Sequence, residues 1–235
     1  MTNLITLAGE GSRFAIEGFN LPKPLIKVNG EPMIFKAVDC LPKAEKYVFV
    51  CRNEHIEKYS LDSILKNRYP NVEIITINET TEGQACTAEI GIKKSSIKSD
   101  DEILISSCDY GLEYSNFKND KDIIVWTTTN NKAFSDNPSA YSWLEIDDEL
   151  IKKVHVKSDV FSDPFNRHAI VGTFYFKKAQ YFLDGFYNSS KSKNEYYIDG
   201  IFNNISKDIN LFCVDQYHCW GTPKDLENYE DKILG

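Results

Sequence analysis

The chain has 235 residues, a net charge of −8, 42% hydrophobic and 26% charged residues. That is ordinary globular composition, long enough to bury a sizeable core in one domain, and no apolar run approaches the roughly 18 residues a membrane-spanning helix needs. Lysines and arginines are spread rather than massed, which argues against a general nucleic-acid surface. The six cysteines, Cys40, Cys51, Cys86, Cys108, Cys213 and Cys219, are scattered without a CxxC pair, the pattern of reduced thiols rather than a disulfide framework. The opening MTNLITLAGE has no basic region before its short apolar run, so no signal peptide is expected and a cytoplasmic protein is.

In chain order, a strand is predicted over 3–7, and it runs into a loop carrying Gly9, Gly11 and Ser12, then Arg13, then Lys23 between Pro22 and Pro24. Glycines let backbone N–H groups crowd around phosphate oxygens, while Arg13 and Lys23 supply charge that a neutral loop lacks. The spacing excludes two better-known loops. A Walker loop ends in Gly-Lys-Ser/Thr, whereas Gly11 is followed by Ser12-Arg13; a dinucleotide fingerprint needs a third glycine, and Phe14 stands there. A helix over 32–41, a strand over 47–51, a helix over 54–67 and a strand over 72–77 follow. The polar turn Thr80-Thr81-Glu82-Gly83 then opens a helix over 83–95. Gly83 and Ala85 let a flat base approach the backbone there, and Gln84 offers a donor and an acceptor to its edge. After the strand over 103–107 comes Asp109, a carboxylate at the carboxyl end of a buried strand, placed to hold Mg²⁺ against triphosphate oxygens.

With a further strand over 123–128, this alternation predicts an α/β protein: a Rossmann-like, doubly wound, mainly parallel mixed sheet flanked by helices. Ligands in such sheets bind beyond the carboxyl ends of the strands, where the loop after Leu7 falls. Past residue 130 the rhythm changes to a polar, turn-rich stretch, strands over 150–156 and 169–176, and helices over 196–205 and 223–233. The expectation is one domain with a nucleotide-binding half (1–130) and an acceptor-binding half (131–235), the latter adding antiparallel strands. The four histidines show no metal-ligand spacing, and no Ser-His-Asp or Cys-His arrangement can be argued.

The segment from Gly9 to Arg13, with Pro22-Lys23-Pro24-Leu25, resembles the signature of the sugar-phosphate nucleotidyltransferases: nucleotide-sugar pyrophosphorylases and small cytidylyltransferases of bacterial surface-polysaccharide pathways. Further matches lie at 82–87, 106–109, 172–176 and 220–226. The resemblance implies the nucleotide-diphospho-sugar transferase fold and Mg²⁺-assisted attack of a phosphorylated acceptor on a nucleoside triphosphate, with release of pyrophosphate. It implies catalytic roles for Arg13 and Lys23, and nucleotide contacts from Leu7, Ala8, Gly9, Gly11, Ser12, Gln84, Ala85 and Cys108. Acceptor contacts fall to Lys157, with Lys152 and Arg167 as competitors, and to Glu195, Tyr197 and Gly172; Asp109 becomes the metal ligand.

One departure stands out. Many relatives carry an aspartate two residues before the Gly-Thr, and this chain has Cys219 before Gly221-Thr222. A thiol is a poor Mg²⁺ ligand, which leaves Glu195 or Asp199 as the second carboxylate, or Asp109 with phosphates and water alone. Partners are thus a triphosphate, a pyrimidine favoured with CTP slightly ahead of UTP and dTTP on length, and a sugar 1-phosphate or other small phosphorylated acceptor for capsule or lipopolysaccharide precursors. Neither nucleic acid nor membrane is expected, and monomer and homodimer both stay open. Two other readings remain: a glycosyltransferase of related fold, although SSCDYGL lacks Asp-x-Asp, and a noncatalytic nucleotide sensor, which Cys219 favours.

Overall fold

A computed structural model of the chain describes residues 1–129, 137–158 and 168–234. Four strands rich in Ile, Val and Leu, β1 (Thr2–Leu7), β4 (Lys46–Arg52), β5 (Val72–Ile77) and β6 (Ile103–Ser106), lie parallel in the order β5-β4-β1-β6. Thr2 sits opposite Lys46 and Ile103, and Leu7 opposite Cys51. With all four strands running the same way, the loops after Leu7, Arg52, Ile77 and Ser106 emerge along one edge. Alternate residues enter opposite faces. Leu4, Val48, Val50 and Ile105 pack against helices α5 (Gln84–Lys94) and α6 (Ala179–Tyr187), while Ile5, Leu7, Phe49 and Leu104 pack against α2 (Met33–Asp39) and α4 (Leu61–Arg68).

The second half differs from a mainly parallel open sheet. Strand β11 (Ala169–Phe176) pairs antiparallel with β6 and with β8 (Ile123–Thr128); the sheet continues through β12 (Asn210–Cys213), β10 (Leu150–His155) and β9 (Trp143–Asp147). Ala169 also pairs with Trp143, so β11, β8, β12, β10 and β9 close on one another as a five-stranded ring. The fold is therefore mixed α/β, parallel at one end and closed at the other. Within that closed end the β9–β10 hairpin is set locally: Asp148 and Glu149, with φ of 46° and 64°, join the two strands in a two-residue turn of the kind whose twist matches an antiparallel hairpin.

Three other expectations shift. The helix over 54–67 is two helices, α3 (Asn53–Tyr59) and α4, because Ser60 between them is left-handed at φ 52°. The helix over 196–205 is the short α7 (Ile198–Ile201) followed by a 3-10 turn, Phe202–Asn204. The polar stretch after 130 contains β9, whose Trp143 and Leu144 are buried. Smaller elements frame the site: α1 (Ser12–Ile16), the pair β2 (Lys27–Val28) and β3 (Glu31–Pro32), the pair β7 (Tyr110–Glu113) and β13 (Gln216–Cys219), and α8 (Pro223–Leu234). Among the described residues no helix is long and apolar enough to cross a membrane.

Candidate active site

The loop after β1 is shaped by its glycines and prolines. Leu7 and Ala8 are buried, Gly9 and Ser12 reach the surface, and Gly11 turns the chain at φ 65° into α1, its carbonyl accepting from Phe14 at 3.0 Å. A Cβ on Gly11 would lie 3.1 Å from the Lys23 Cβ, so the absent side chain lets the two ends of the loop touch. Pro22 and Pro24 hold Lys23 in a single 3-10 turn, Lys23–Leu25. Phe14 and Ile26 pack with Trp220 and Leu226, which fastens the loop to the last turn and helix of the chain.

That packing carries the Lys23 ammonium to the end of β6. Its Nζ lies 2.8 Å from Asp109 Oδ2 and donates to the Gly221 carbonyl at 3.2 Å. Ser107 donates to the other carboxylate oxygen, Oδ1, at 2.7 Å, and the Trp220 N–H donates to the Asp109 carbonyl at 2.8 Å. Burial alone favours the neutral acid at Asp109, but the Lys23 charge, its hydrogen bond and that from Ser107 outweigh it and hold the carboxyl at about 2. Burial opposes charge on Lys23 too; the facing Asp109 overcomes it and raises the ammonium above its ordinary 10.5.

Cys219 stands beside this pair. A Cβ built on Gly221 would be 3.4 Å from Cys219 Sγ, 3.8 Å from Asp225 Oδ2 and 3.9 Å from Asp109 Oδ2, so one thiol and two carboxylates surround Gly221. Burial pushes the Cys219 thiol up to about 11, with the Asp225 charge adding to it, and the Cys108 thiol up to about 12. Both are neutral at pH 7. Asp225 itself accepts from the Thr222 hydroxyl at 2.6 Å at the start of α8. Among the described residues no group of three or more His, Cys, Asp or Glu side chains could hold a metal ion.

The start of α5 reaches the same edge of the sheet. Gln84 donates to the Thr6 hydroxyl at 3.2 Å, and the buried Ala85 donates its N–H to the Tyr196 carbonyl at 3.0 Å. Gly83, at φ 138°, would drive a Cβ to 2.5 Å from that carbonyl, so only glycine lets segment 194–197 lie against this helix.

A second cluster forms around Lys157. Its ammonium donates to the Ala140 carbonyl at 2.8 Å, lies 4.0 Å from Asp199 Oδ2 and sits 5.5 Å from the Tyr197 ring centroid. Asp199 is buried and accepts from the Ser142 hydroxyl. The Tyr197 phenol is raised by burial and by Glu195, while Arg13, exposed on α1, draws it down. Gly172 has a packing role: at φ 96° it makes room for the Tyr110 ring, whose Cε1 would be 3.1 Å from a Cβ there. Lys152 points elsewhere, 3.7 Å from Asp147, and Arg167 lies outside the described residues.

Tyr141 and Ser142 join the clusters. The Tyr141 phenol is within hydrogen-bonding reach of Cys219, and its ring packs 6.5 Å from Tyr217, while the adjacent Ser142 serves Asp199 and Lys157. The sequence gives no sign of Ser142, of the Gly221 carbonyl or of Thr6, because two common hydroxyl residues and a backbone group acquire these roles only from distant partners. Ser107, two residues before Asp109, is a local partner of the kind a short polar side chain supplies.

No protein-family model matches the sequence, and no curated protein does. Solved structures match the fold over nearly the whole chain. A nucleoside-diphosphate-sugar pyrophosphorylase from Vibrio cholerae superposes with a TM-score of 0.79 at 16% identity, covering 97% of this chain and 99% of its own. The inositol-1-phosphate CTP transferase from T. maritima gives 0.76 at 15%, over 97% and 93%. A putative glucose-1-phosphate thymidylyltransferase from Bacillus anthracis gives 0.76 at 17%, over 99% and 94%. These likenesses show that the chain has the fold of the sugar-phosphate nucleotidyltransferases, the group whose signature the segments Gly9–Arg13 and Pro22–Leu25 resemble.

Proposed function

We propose that the protein is a nucleotidyltransferase that joins a nucleoside triphosphate to a small phosphorylated acceptor and releases pyrophosphate. One observation carries this reading: Lys23, from a glycine-rich loop, meets Asp109, from the end of a buried strand, at the edge of the sheet where that loop exposes Gly9 and Ser12. In the reaction an acceptor phosphate oxygen attacks the α-phosphorus, a new P–O–P link forms, and the bond to the β-phosphate breaks with its electron pair leaving on pyrophosphate. The acceptor oxygen is already an anion, so no protein nucleophile is required. Positioning and charge neutralisation do the work.

Lys23 then turns from Asp109 to the α-phosphate and the incoming oxygen. Arg13 neutralises charge growing on pyrophosphate, Gln84 reads the base, and Lys157, with Tyr197 and Glu195 beside it, receives the acceptor. Asp109 would be the residue to hold Mg²⁺, which would supply positive charge against the triphosphate. The neutral Cys219 thiol offers no hard oxygen to it.

For the substrates we propose a pyrimidine triphosphate, CTP ahead of UTP and dTTP, and a sugar 1-phosphate or related acceptor of bacterial capsule or lipopolysaccharide precursors. The compact length supports this, as does the naming of two of the similar structures for CTP and thymidylyl transfer. Incubating the protein with Mg²⁺, each of the four triphosphates and a panel of sugar and polyol phosphates tests it by pyrophosphate release. Release with one pair identifies the substrates. Binding of a triphosphate without release from any pair overturns the reading in favour of a nucleotide sensor, as does hydrolysis of a nucleotide sugar in favour of a glycosyltransferase.

A further inference from the structure

Lys157 is held in a way that a solvated surface lysine is not. Its backbone is left-handed at φ 45° in the turn after β10, a conformation costly for a residue with a side chain and kept where the surroundings hold it. Two hydrogen bonds to the segment before β9 hold it: the Ser142 hydroxyl oxygen accepts the Lys157 N–H at 3.1 Å, and the Tyr141 carbonyl accepts the Ser158 N–H at 3.2 Å. Ser142 is fully buried and donates its hydroxyl hydrogen to Asp199 Oδ2. Asp199 is 7% exposed, and a carboxylate so removed from water needs both hydrogen bonds and a facing cation. Ser142 supplies the first and Lys157, 4.0 Å away, the second. One serine hydroxyl thus fixes both ends of the lysine: the strained backbone by accepting from it, and the ammonium by orienting the carboxylate it faces.

We propose that Ser142 and Asp199 are positioning residues for acceptor recognition, holding the Lys157 ammonium where it meets the phosphate of the acceptor. The proposal rests on the reading of Lys157 as the acceptor's phosphate ligand and assigns Asp199 to the lysine rather than to a metal. The ammonium has three donors, of which the Ala140 carbonyl takes one at 2.8 Å. At 4.0 Å Asp199 attracts the ammonium without a direct hydrogen bond, so an arriving phosphate meets a cation already aimed.

The test uses the full chain and a readout that does not require turnover. Lys157 is labelled with acetic anhydride, quantified by mass spectrometry, and protected by increasing inorganic phosphate or glycerol 1-phosphate. In Ser142→Ala, loss of a hydrogen bond to a buried charged acceptor should raise the half-protecting phosphate concentration about tenfold or more, with the melting temperature within a few degrees of wild type. Ser142→Thr, which keeps the hydroxyl, should recover most of the protection. Asp199→Asn keeps the volume and an acceptor for Ser142, and it should label faster than wild type because the ammonium has lost the charge that restrains it.

Where a productive pair of substrates is known, Ser142→Ala should raise KM for the acceptor with little change in kcat or in KM for the triphosphate. Equal protection in wild type and Ser142→Ala overturns the proposal, as does wild-type Lys157 that phosphate fails to protect. If Ser142→Ala does not fold, the Asp199→Asn labelling rate decides alone. Protection that follows the expected order in a protein releasing no pyrophosphate leaves the positioning intact and removes only the transferase reading.

Discussion

The two lysines assigned to phosphates are held by opposite means. Lys23 sits on a backbone made rigid by its own neighbours, Pro22 and Pro24, and its ammonium is in direct contact with Asp109 at 2.8 Å. Lys157 sits on a backbone in a disfavoured conformation, hydrogen-bonded to a serine distant in sequence, with its carboxylate 4.0 Å away. The difference matches the tasks proposed for them: a group meeting the reacting phosphorus gains from a stiff backbone that limits where its side chain can reach, whereas a group that selects among acceptors can be placed by tertiary contacts. It also separates the variants: changes around Lys23 should act on turnover, and changes around Lys157 on acceptor affinity.

The largest effect tests that division directly. Lys23→Ala should lower kcat by about 100-fold or more, the scale of losing one donor to a developing charge, with circular dichroism unchanged, while Lys157→Ala should act mainly on acceptor KM. Reversed kinetics in the two variants would break the comparison. Gly83→Ala comes next. Its Cβ would lie 2.5 Å from the Tyr196 carbonyl at a backbone φ of 138°, so about 2 kcal/mol or more of stability should be lost, read as a lower midpoint in urea. An unchanged midpoint means that α5 and segment 194–197 need no such close approach.

A third variant sharpens the Lys23 side. Cys219→Asp places a hard oxygen donor next to Asp109, and isothermal titration of the free protein with Mg²⁺ should show binding tighter than wild type. Equal affinity would remove Cys219 from any account of the metal. The smallest effect is on pH. Asp109 is depressed to about 2 from 3.8, so its contribution to stability is present above pH 3.8 and is lost as pH falls toward 2. Lys23 is raised from 10.5, so its contribution is present below pH 10.5 and lost as pH rises beyond its folded value. The pair should thus support stability evenly between about pH 4 and pH 10, and Lys23→Met should flatten the acid limb of the melting-temperature profile.

The parallel half was legible because its signals are local. Runs such as Ile103-Leu104-Ile105 and the glycines of 9–11 specify strand and turn within a few residues, and β1, β4, β5, β6 and β8 lie within a residue or two of their expected bounds. The closed half was not. Trp143–Asp147 sits in a polar stretch and becomes a strand because β10 and Ala169 of β11 supply its partners. The same holds for the sites. The convergence of loop 9–25 with Asp109 followed from topology, since both end strands of one parallel sheet, whereas Ser142 joins Asp199 across 57 residues and Lys157 across 15.

By itself the sequence determined the glycine- and proline-bearing loop after β1 and the strands that precede it and Asp109, because each rests on neighbours in the chain. Only the tertiary structure decided that five strands close into a ring, that Cys219 and Asp225 flank Gly221 beside the Lys23–Asp109 pair, and that a buried serine holds Lys157 to Asp199. Those arrangements depend on which distant groups burial brings within hydrogen-bonding distance, and residue order alone does not carry that information.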